Sequence, residues 1–211
     1  MRARNGLLRI EPRRGLEIIA RASKKGLDFM RKHGPWTIRE SQLVYRDPWI
    51  TLQVDQVLRP DGKPGTYCTV ELKPGVCVVA LDEDDYVYLT QEFHYAVGRV
   101  TIEGVSGGIE EAEGALQTAI RELNEELGIS ANNFLQLGSV DPFTAAIRSP
   151  TALFVATELS FGQATCEGTE IIDMVKMPLQ EAIEMVESSI ITHSPTCVLL
   201  YKIAKWRKVF S

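Results

Sequence analysis

Between Gly107 and Ile129 the chain sets glycines, one arginine and the glutamates Glu113, Glu122, Glu125 and Glu126 at spacings that suit divalent-cation and pyrophosphate chemistry. Gly107 and Gly108 can adopt backbone conformations closed to other residues, so a tight loop can bring main-chain groups close to a ligand. From about Gly114 to Leu127 the pattern is helical: Leu116, Ala119, Ile120, Leu123 and Leu127 recur at spacings of three and four. Gly128 stops that helix. Glu122, Glu125 and Glu126 stand at i, i+3 and i+4, which predicts three carboxylates together on the face opposite the apolar stripe. Like charges so placed repel by a few tenths of a kcal/mol each, and the helix contains no lysine to balance them. A divalent cation would balance them. Oxygen-only ligation is what Mg²⁺ or Mn²⁺ favours, and such ions bind substrate phosphates at the same time. Arg121, beside the cluster, can fork two hydrogen bonds to a carboxylate and hold one glutamate in a fixed rotamer.

The elements that must position this segment read as strands and a few helices. From Trp36 onward the chain predicts short strands. Residues 49–57 alternate in part, and Arg59-Pro-Asp-Gly-Lys-Pro-Gly65 supplies a turn before Thr66–Glu71, a hairpin-like pair. Val76–Ala80 and Tyr86–Thr90, joined by an acidic turn, read as central strands. Phe134–Val140, Thr151–Thr157 and Ile171–Met177 follow as strands, with Pro178 ending the last. Leu179–Ser188 is helical by spacing. Ser194 and Pro195 mark a further helix start, with Ser194 as cap and Val198, Leu199, Ile203 and Trp206 down one side. Strands mixed with two or three helices predict an α/β sandwich.

Composition bounds the rest. A chain of 211 residues that is 45% hydrophobic can form one domain, or one domain with an appendage. The net charge of −5 argues against a nucleic-acid surface over the whole molecule. No run approaches the length of a membrane span. Cys68, Cys77, Cys166 and Cys197 are scattered without zinc-ligand spacing and are expected to be buried, reduced thiols of a cytoplasmic protein. Residues 1–34 form a basic arm, in which Leu16, Ile19, Leu27 and Met30 can share one side of a helix that Gly26 weakens. Such an arm reads as a solvated or docking appendage; the alternatives are contact with a membrane surface or acidic partner, and an organellar presequence, though such segments are poor in acids and rich in serine.

The segment 107–129 resembles the Nudix box, Gly-x5-Glu-x7-Arg-Glu-U-x-Glu-Glu-x-Gly-U with U a bulky aliphatic residue. Gly107, Glu113, Arg121, Glu122, Leu123, Glu125, Glu126, Gly128 and Ile129 fill every fixed position without a gap. Each fixed residue type occurs at roughly one position in fifteen, so a chance match of this length is negligible. From about Trp36 to Trp206 the order of elements is similar to the ADP-ribose and nucleoside diphosphate sugar pyrophosphatase branch of that family. Asp47-Pro-Trp49, the Asp-Gly turn, Glu71, the run from Gln91 to Gly98 and the run from Ile102 to Gly107 look like that branch's landmarks.

This resemblance implies a Nudix α/β/α sandwich with a mixed sheet over residues 76–211, preceded by a small β-subdomain over 35–75 that helps build a homodimer. It implies hydrolysis of the pyrophosphate bond of a nucleoside diphosphate sugar, ADP-ribose-like or an NDP-hexose, to a nucleoside monophosphate and a sugar phosphate, with Mg²⁺ or Mn²⁺. The alternatives are a house-cleaning nucleoside triphosphate pyrophosphatase and a Nudix-fold sensor that binds a nucleotide without cutting it. By resemblance, Glu122 and Glu126 are the main metal ligands, Glu125 shares an ion or its waters, and the Ser106 carbonyl completes a site. Gly107, Glu113, Arg121 and Gly128 shape the box. The general base is expected on the loop 166–170, at Glu170 or else Glu167, with Glu125 a further catalytic candidate. Trp36 and Trp49 are candidates to stack on a nucleobase, with the core or a subunit interface as the alternative. Glu103 and Arg99 are further substrate contacts, Glu103 reaching the substrate or a metal-bound water, or serving structure. His94 stands where ADP-ribose hydrolases of this branch usually carry an arginine for a phosphate, and it is a weaker, pH-dependent donor. The proline that the branch commonly carries about sixteen residues after the box is missing, that stretch reading Pro142-Phe-Thr-Ala-Ala146.

Overall fold

The computed structural model describes residues 30–165 and 171–208. The chain divides between Val70 and Glu71 into two compact units. In the first, β1 (Arg31–His33), β2 (Trp36–Arg46), β3 (Ile50–Leu58) and β4 (Pro64–Leu72) are neighbours in chain order. β1 and β2 form an antiparallel hairpin around Gly34, whose φ of 56° is one that glycine takes without strain. Of the helical pattern expected in the arm, only Met30 is described, and it is exposed. Ile38 and Val57 face each other across β2 and β3 and are both buried.

The β3–β4 turn follows the expected chemistry: Asp61 accepts the Lys63 N–H at 3.0 Å, and Gly62 has a φ of 78°. The β2–β3 corner is closed by Asp47, whose Oδ1 accepts the N–H groups of Trp49 at 2.8 Å and Ile50 at 2.7 Å. The hydroxyl of Tyr45 donates to the same carboxylate and holds its pKa below the usual carboxylate range.

The second unit contains β5 (Gly75–Leu81), β6 (Tyr86–His94), β7 (Arg99–Glu103), β8 (Val105–Gly108), α1 (Ala115–Leu127), β9 (Ile129–Val140), β10 (Ile147–Arg148), β11 (Thr151–Phe161), β12 (Asp173–Pro178), α2 (Leu179–Glu187) and α3 (Ser194–Trp206). β5 lies parallel to β11 and antiparallel to β6 and β8, so the sheet is mixed. β12 adds antiparallel to β6, and β9 antiparallel to β11.

The alternation along β5 sends its side chains into two cores. Val76, Val78 and Ala80 pack with Ala119, Leu123 and Leu127 of α1. Cys77, Val79 and Leu81 pack on the other side with Ala182 and Ile183 of α2 and Leu199, Leu200 and Ile203 of α3. The sheet is thus sandwiched between α1 and the α2–α3 pair, the α/β/α architecture with a mixed sheet expected from the resemblance. Each fully buried leucine or isoleucine here contributes about 1.5–3 kcal/mol by leaving water.

The structure corrects several local readings. Leu116 and Ile120 are 40% and 45% exposed. The stripe that α1 buries is the narrower Ala119, Leu123 and Leu127 row, flanked by the buried Thr118. Thr118 is accommodated because its hydroxyl lies 2.9 Å from Glu113 Oε2 and 3.2 Å from the Gly114 carbonyl. Ser194 is the first helical residue of α3 rather than its cap, which is His193. Cys68 is exposed, whereas Cys77 is buried and Cys197 half-buried. The strands β7 and β8 lie where sequence reading placed no strand. Val105-Ser-Gly-Gly108 has little intrinsic strand preference, and its pairing with Gly75–Val78 makes it one.

Candidate active site

The box is a strand, loop and helix packed tightly enough to leave no room for a side chain at Gly107. A Cβ there would collide with the Glu122 carboxylate, which occupies that space. Glu122 is therefore folded under β8, with its side chain 14% exposed. Glu125 and Glu126, on the same side of α1, are half-buried as well. The three carboxylates expected together on one face of α1 are thus each partly buried.

Arg121 organises this cluster. Its Nε and Nη2 donate to the two oxygens of Glu113 at 2.9 and 3.1 Å, a planar fork on one carboxylate. Its Nη1 lies 2.9 Å from Glu125 Oε2 and 2.9 Å from Glu122 Oε1. The fork on Glu113 holds that carboxyl below its ordinary pKa, against a smaller desolvation effect, and the same partners raise the pKa of Arg121. One guanidinium shared among three carboxylates leaves the cluster net negative.

The Glu122, Glu125 and Glu126 carboxylates and a main-chain carbonyl such as that of Ser106 on β8 are the oxygen donors that could hold a hard divalent cation. The space left by the missing Cβ of Gly107 is what lets Glu122 reach under the loop. Among the described residues no group of three or more His, Cys, Asp or Glu side chains is already gathered around one point as a metal cage. Arg121 draws Glu122 and Glu125 toward itself, so side-chain rotation would aim them at an ion.

Gly128 ends α1 at a φ of 63°, and its N–H donates to the Asn124 carbonyl at 2.9 Å. Its carbonyl accepts the Gly162 N–H at 2.7 Å, and the Glu125 carbonyl accepts the Thr165 N–H at 2.8 Å. A Cβ on Gly128 would meet Ala164 N at 2.7 Å and the Gly162 carbonyl at 2.8 Å. The chain leaving β11 is thereby stitched to the end of α1 beside Glu125, a tether that sequence reading missed. Gly128 read as a helix stop alone, and the Gly162 side of the contact carries no motif. Glu167 and Glu170 lie just beyond Thr165, outside the described residues.

Comparison with known proteins decides the family. The family model described as the NUDIX domain matches residues 71–193, and that of the nucleoside diphosphate sugar hydrolase N-terminal domain matches residues 36–70. The chain belongs to the Nudix family. It is a Nudix hydrolase, and the expected resemblance to the ADP-ribose and nucleotide-sugar branch is borne out. It is 27% identical to an ADP-ribose pyrophosphatase of Bacillus subtilis (strain 168), over 72% of this chain and 83% of that protein. It is 28% identical to the ADP compounds hydrolase NudE of Escherichia coli (strain K12), over 59% of this chain and 67% of that protein. A crystal structure of an ADP compounds hydrolase shares the fold, with a TM-score of 0.72 and 21% identity, covering 85% of this chain and 97% of that one.

In this Nudix hydrolase Glu103, His94 and Arg99 come together on the β6–β7 hairpin. Glu103 Oε1 is 3.3 Å from His94 Nε2 and accepts the Thr101 hydroxyl at 2.7 Å. Glu103 Oε2 is 3.2 Å from Nδ1 of His193, a residue that sequence reading left unassigned. Arg99 faces His94 across the hairpin and donates to the Thr192 hydroxyl at 2.7 Å. Glu103 is thus a carboxylate held between two imidazoles.

The two candidate stacking residues belong to the N-terminal unit. Trp36 meets Tyr67 edge to face at a centroid distance of 5.3 Å, and Trp49 is 62% exposed at the Asp47 corner. No helix among the described residues is long and apolar enough to cross a membrane.

Proposed function

We propose that this Nudix hydrolase cleaves the pyrophosphate bond of a nucleoside diphosphate sugar, ADP-ribose or an NDP-hexose, to a nucleoside monophosphate and a sugar phosphate. The observation that carries the reading is the net negative cluster around Arg121, with Glu122 folded under Gly107. The names of the relatives, an ADP-ribose pyrophosphatase and an ADP compounds hydrolase, support the substrate class. So does the match of residues 36–70 to the N-terminal domain of nucleoside diphosphate sugar hydrolases.

In this reading Glu122 and Glu126 hold Mg²⁺ or Mn²⁺, with Glu125 sharing an ion or its waters and the Ser106 carbonyl completing a site. A bound divalent cation supplies neutralisation of the charge that builds on the phosphates. Glu113 and Arg121 keep the loop and helix in register, so that turning Glu122 and Glu125 from Arg121 onto an ion takes side-chain rotation alone. Water attacks one phosphorus, a P–O bond forms, the bridging P–O bond breaks, and the proton of the water passes to a carboxylate. Glu170 is the proposed base, with Glu167 the alternative. The bond of the Thr165 N–H to the Glu125 carbonyl supports that role, since Thr165 precedes both glutamates by a few residues. His94 and Arg99 are proposed to face the substrate phosphates, and Trp36 or Trp49 its base. The proposed form is a cytoplasmic homodimer, tested by sedimentation.

The test is hydrolysis of a panel of NDP-sugars with Mg²⁺ or Mn²⁺, comparing wild type with Glu126→Gln. A monophosphate and a sugar phosphate from wild type, and no turnover by the variant, are expected. Preferential release of pyrophosphate from nucleoside triphosphates would overturn the substrate assignment.

A further inference from the structure

The turn that delivers the box is anchored from the opposite face of the sheet. Gly104 joins β7 to β8, two residues before Ser106 and three before Gly107. Its N–H donates at 2.8 Å to Oγ1 of Thr196, which lies in the first turn of α3 and is fully buried. The Ser106 hydroxyl donates back to the Gly104 carbonyl at 2.9 Å, so the turn is fastened on both its polar groups. No Cβ fits at Gly104, where Cys77 Sγ and the Val78 carbonyl would each stand 2.9 Å away. The backbone at Gly104 is therefore pressed against β5, while the Thr196 hydroxyl of α3 accepts its N–H.

Thr196 is itself held. His193 Nδ1 lies 2.8 Å from Thr196 Oγ1, and the Cys77 thiol lies 3.7 Å from the same oxygen. The same His193 nitrogen is 3.2 Å from Glu103 Oε2. With a proton on Nδ1, His193 donates to Glu103 and toward Thr196, while the threonine accepts from Gly104 and turns its own hydrogen to Cys77. Every buried polar side-chain atom among the described residues then has a partner, in keeping with the absence of orphaned side-chain nitrogens or oxygens. Glu103, bonded also to Thr101 and His94, extends the chain of contacts to the surface of the β6–β7 hairpin.

We propose that Thr196, locked by His193, is a positioning residue of the hydrolytic site: its hydroxyl sets the Gly104 turn, and through it the Ser106 carbonyl and the seat of Glu122 against Gly107. This rests on the proposed role of Ser106 and Glu122 in holding the cation. Thr196 lies 89 positions beyond Gly107 in the chain and touches no reacting group, so its contribution is the direction in which the ligands point. Partners one layer behind a metal site act this way, orienting the ligands and tuning affinity.

The test compares Thr196→Val, which keeps the shape and removes the hydroxyl, with Thr196→Ser, which keeps the hydroxyl. Two readouts are taken: steady-state hydrolysis of an NDP-sugar, and Mn²⁺ uptake by the substrate-free protein followed by electron paramagnetic resonance. In Thr196→Val, kcat and Mn²⁺ affinity each fall about ten- to a hundredfold, the range for losing a partner behind a metal ligand. KM for the NDP-sugar holds, and Thr196→Ser recovers most of both losses. His193→Leu, at a half-buried position, gives a smaller loss of the same pattern and serves as the test if Thr196→Val does not fold. Wild-type Mn²⁺ affinity in Thr196→Val, or a Thr196→Ser as impaired as Thr196→Val, overturns the proposal. Glu126→Gln run alongside separates the two readings. If wild type hydrolyses the sugar nucleotide and Glu126→Gln does not, the proposed function stands whatever Thr196 does. If wild type does not hydrolyse it, the Mn²⁺ contrast still decides the role of Thr196.

Discussion

The Glu122 carboxylate occupies the place that a side chain at Gly107 would take. The conformation of one residue and the identity of the other are thus a single constraint. Gly107→Ala should push Glu122 out from under β8 with little effect on the cores, which Gly107 does not enter. A misplacement of about 1 Å at a reacting centre can cost a hundredfold, and a loss of kcat/KM of about that size is expected. Near-wild-type turnover with an unchanged melting temperature would show that the packing is not needed for catalysis.

Arg121 forks onto Glu113 while also reaching Glu122 and Glu125. A lysine keeps the charge but cannot make the planar pair of bonds. Arg121→Lys is expected to lower kcat about tenfold or more, as loss of an orienting partner does, and to lower the melting temperature. Combining it with Glu113→Gln should add little to either loss, because both remove the same fork. Fully additive effects would separate the two residues.

The box was legible because its chemistry is local in sequence: nine fixed positions within Gly107–Ile129 specify one loop, one helix and one stop. The sandwich was legible in outline from the apolar run Val76–Ala80. Of the α3 stripe only Leu199 and Ile203 are buried, with Leu200 and Ala204 beside them, whereas Val198 is half-buried and Trp206 exposed. What escaped depends on partners far along the chain. Thr196 reads as an ordinary helix residue until Gly104 is placed against it, 92 positions away. β8 is a strand only because β5 pairs with it. Leu116 and Ile120 looked like core because period alone cannot say how wide a stripe the sheet will cover. His193 lies among residues with no catalytic spacing and is joined to Glu103 only by the fold.

Residues 166–170 follow Thr165 in the chain, whose N–H is bonded to the Glu125 carbonyl. If Glu170 takes the proton of the attacking water, Glu170→Gln should slow turnover about a hundredfold, the lower range for losing general-base help. The pH–rate profile of that variant should lose its acidic limb. Unchanged turnover by Glu170→Gln, with the loss appearing in Glu167→Gln, would transfer the role to Glu167.

Burial pushes the pKa of His193 below the ordinary 6.5, with attraction to Glu103 opposing the shift and repulsion from His94 adding to it. Just below 6.5 the unfolded chain therefore binds a proton that the folded chain does not. Stability from this residue is fully present above that pH and is lost as pH falls through the folded value. His193→Asn removes that slope. From pH 6.5 downward its melting temperature should decline less steeply than that of wild type, and parallel declines would contradict the assignment.

The central claim is that the Glu122, Glu125 and Glu126 carboxylates bind divalent ions against a diphosphate, and calorimetric titration of Mg²⁺ and Mn²⁺ in the presence of an NDP-sugar product tests it most directly. Wild type should take up metal, and Glu122→Gln and Glu126→Gln should each lose about ten- to a hundredfold in affinity while remaining folded. No uptake by wild type with the nucleotide present, or wild-type affinity in both variants, would contradict it.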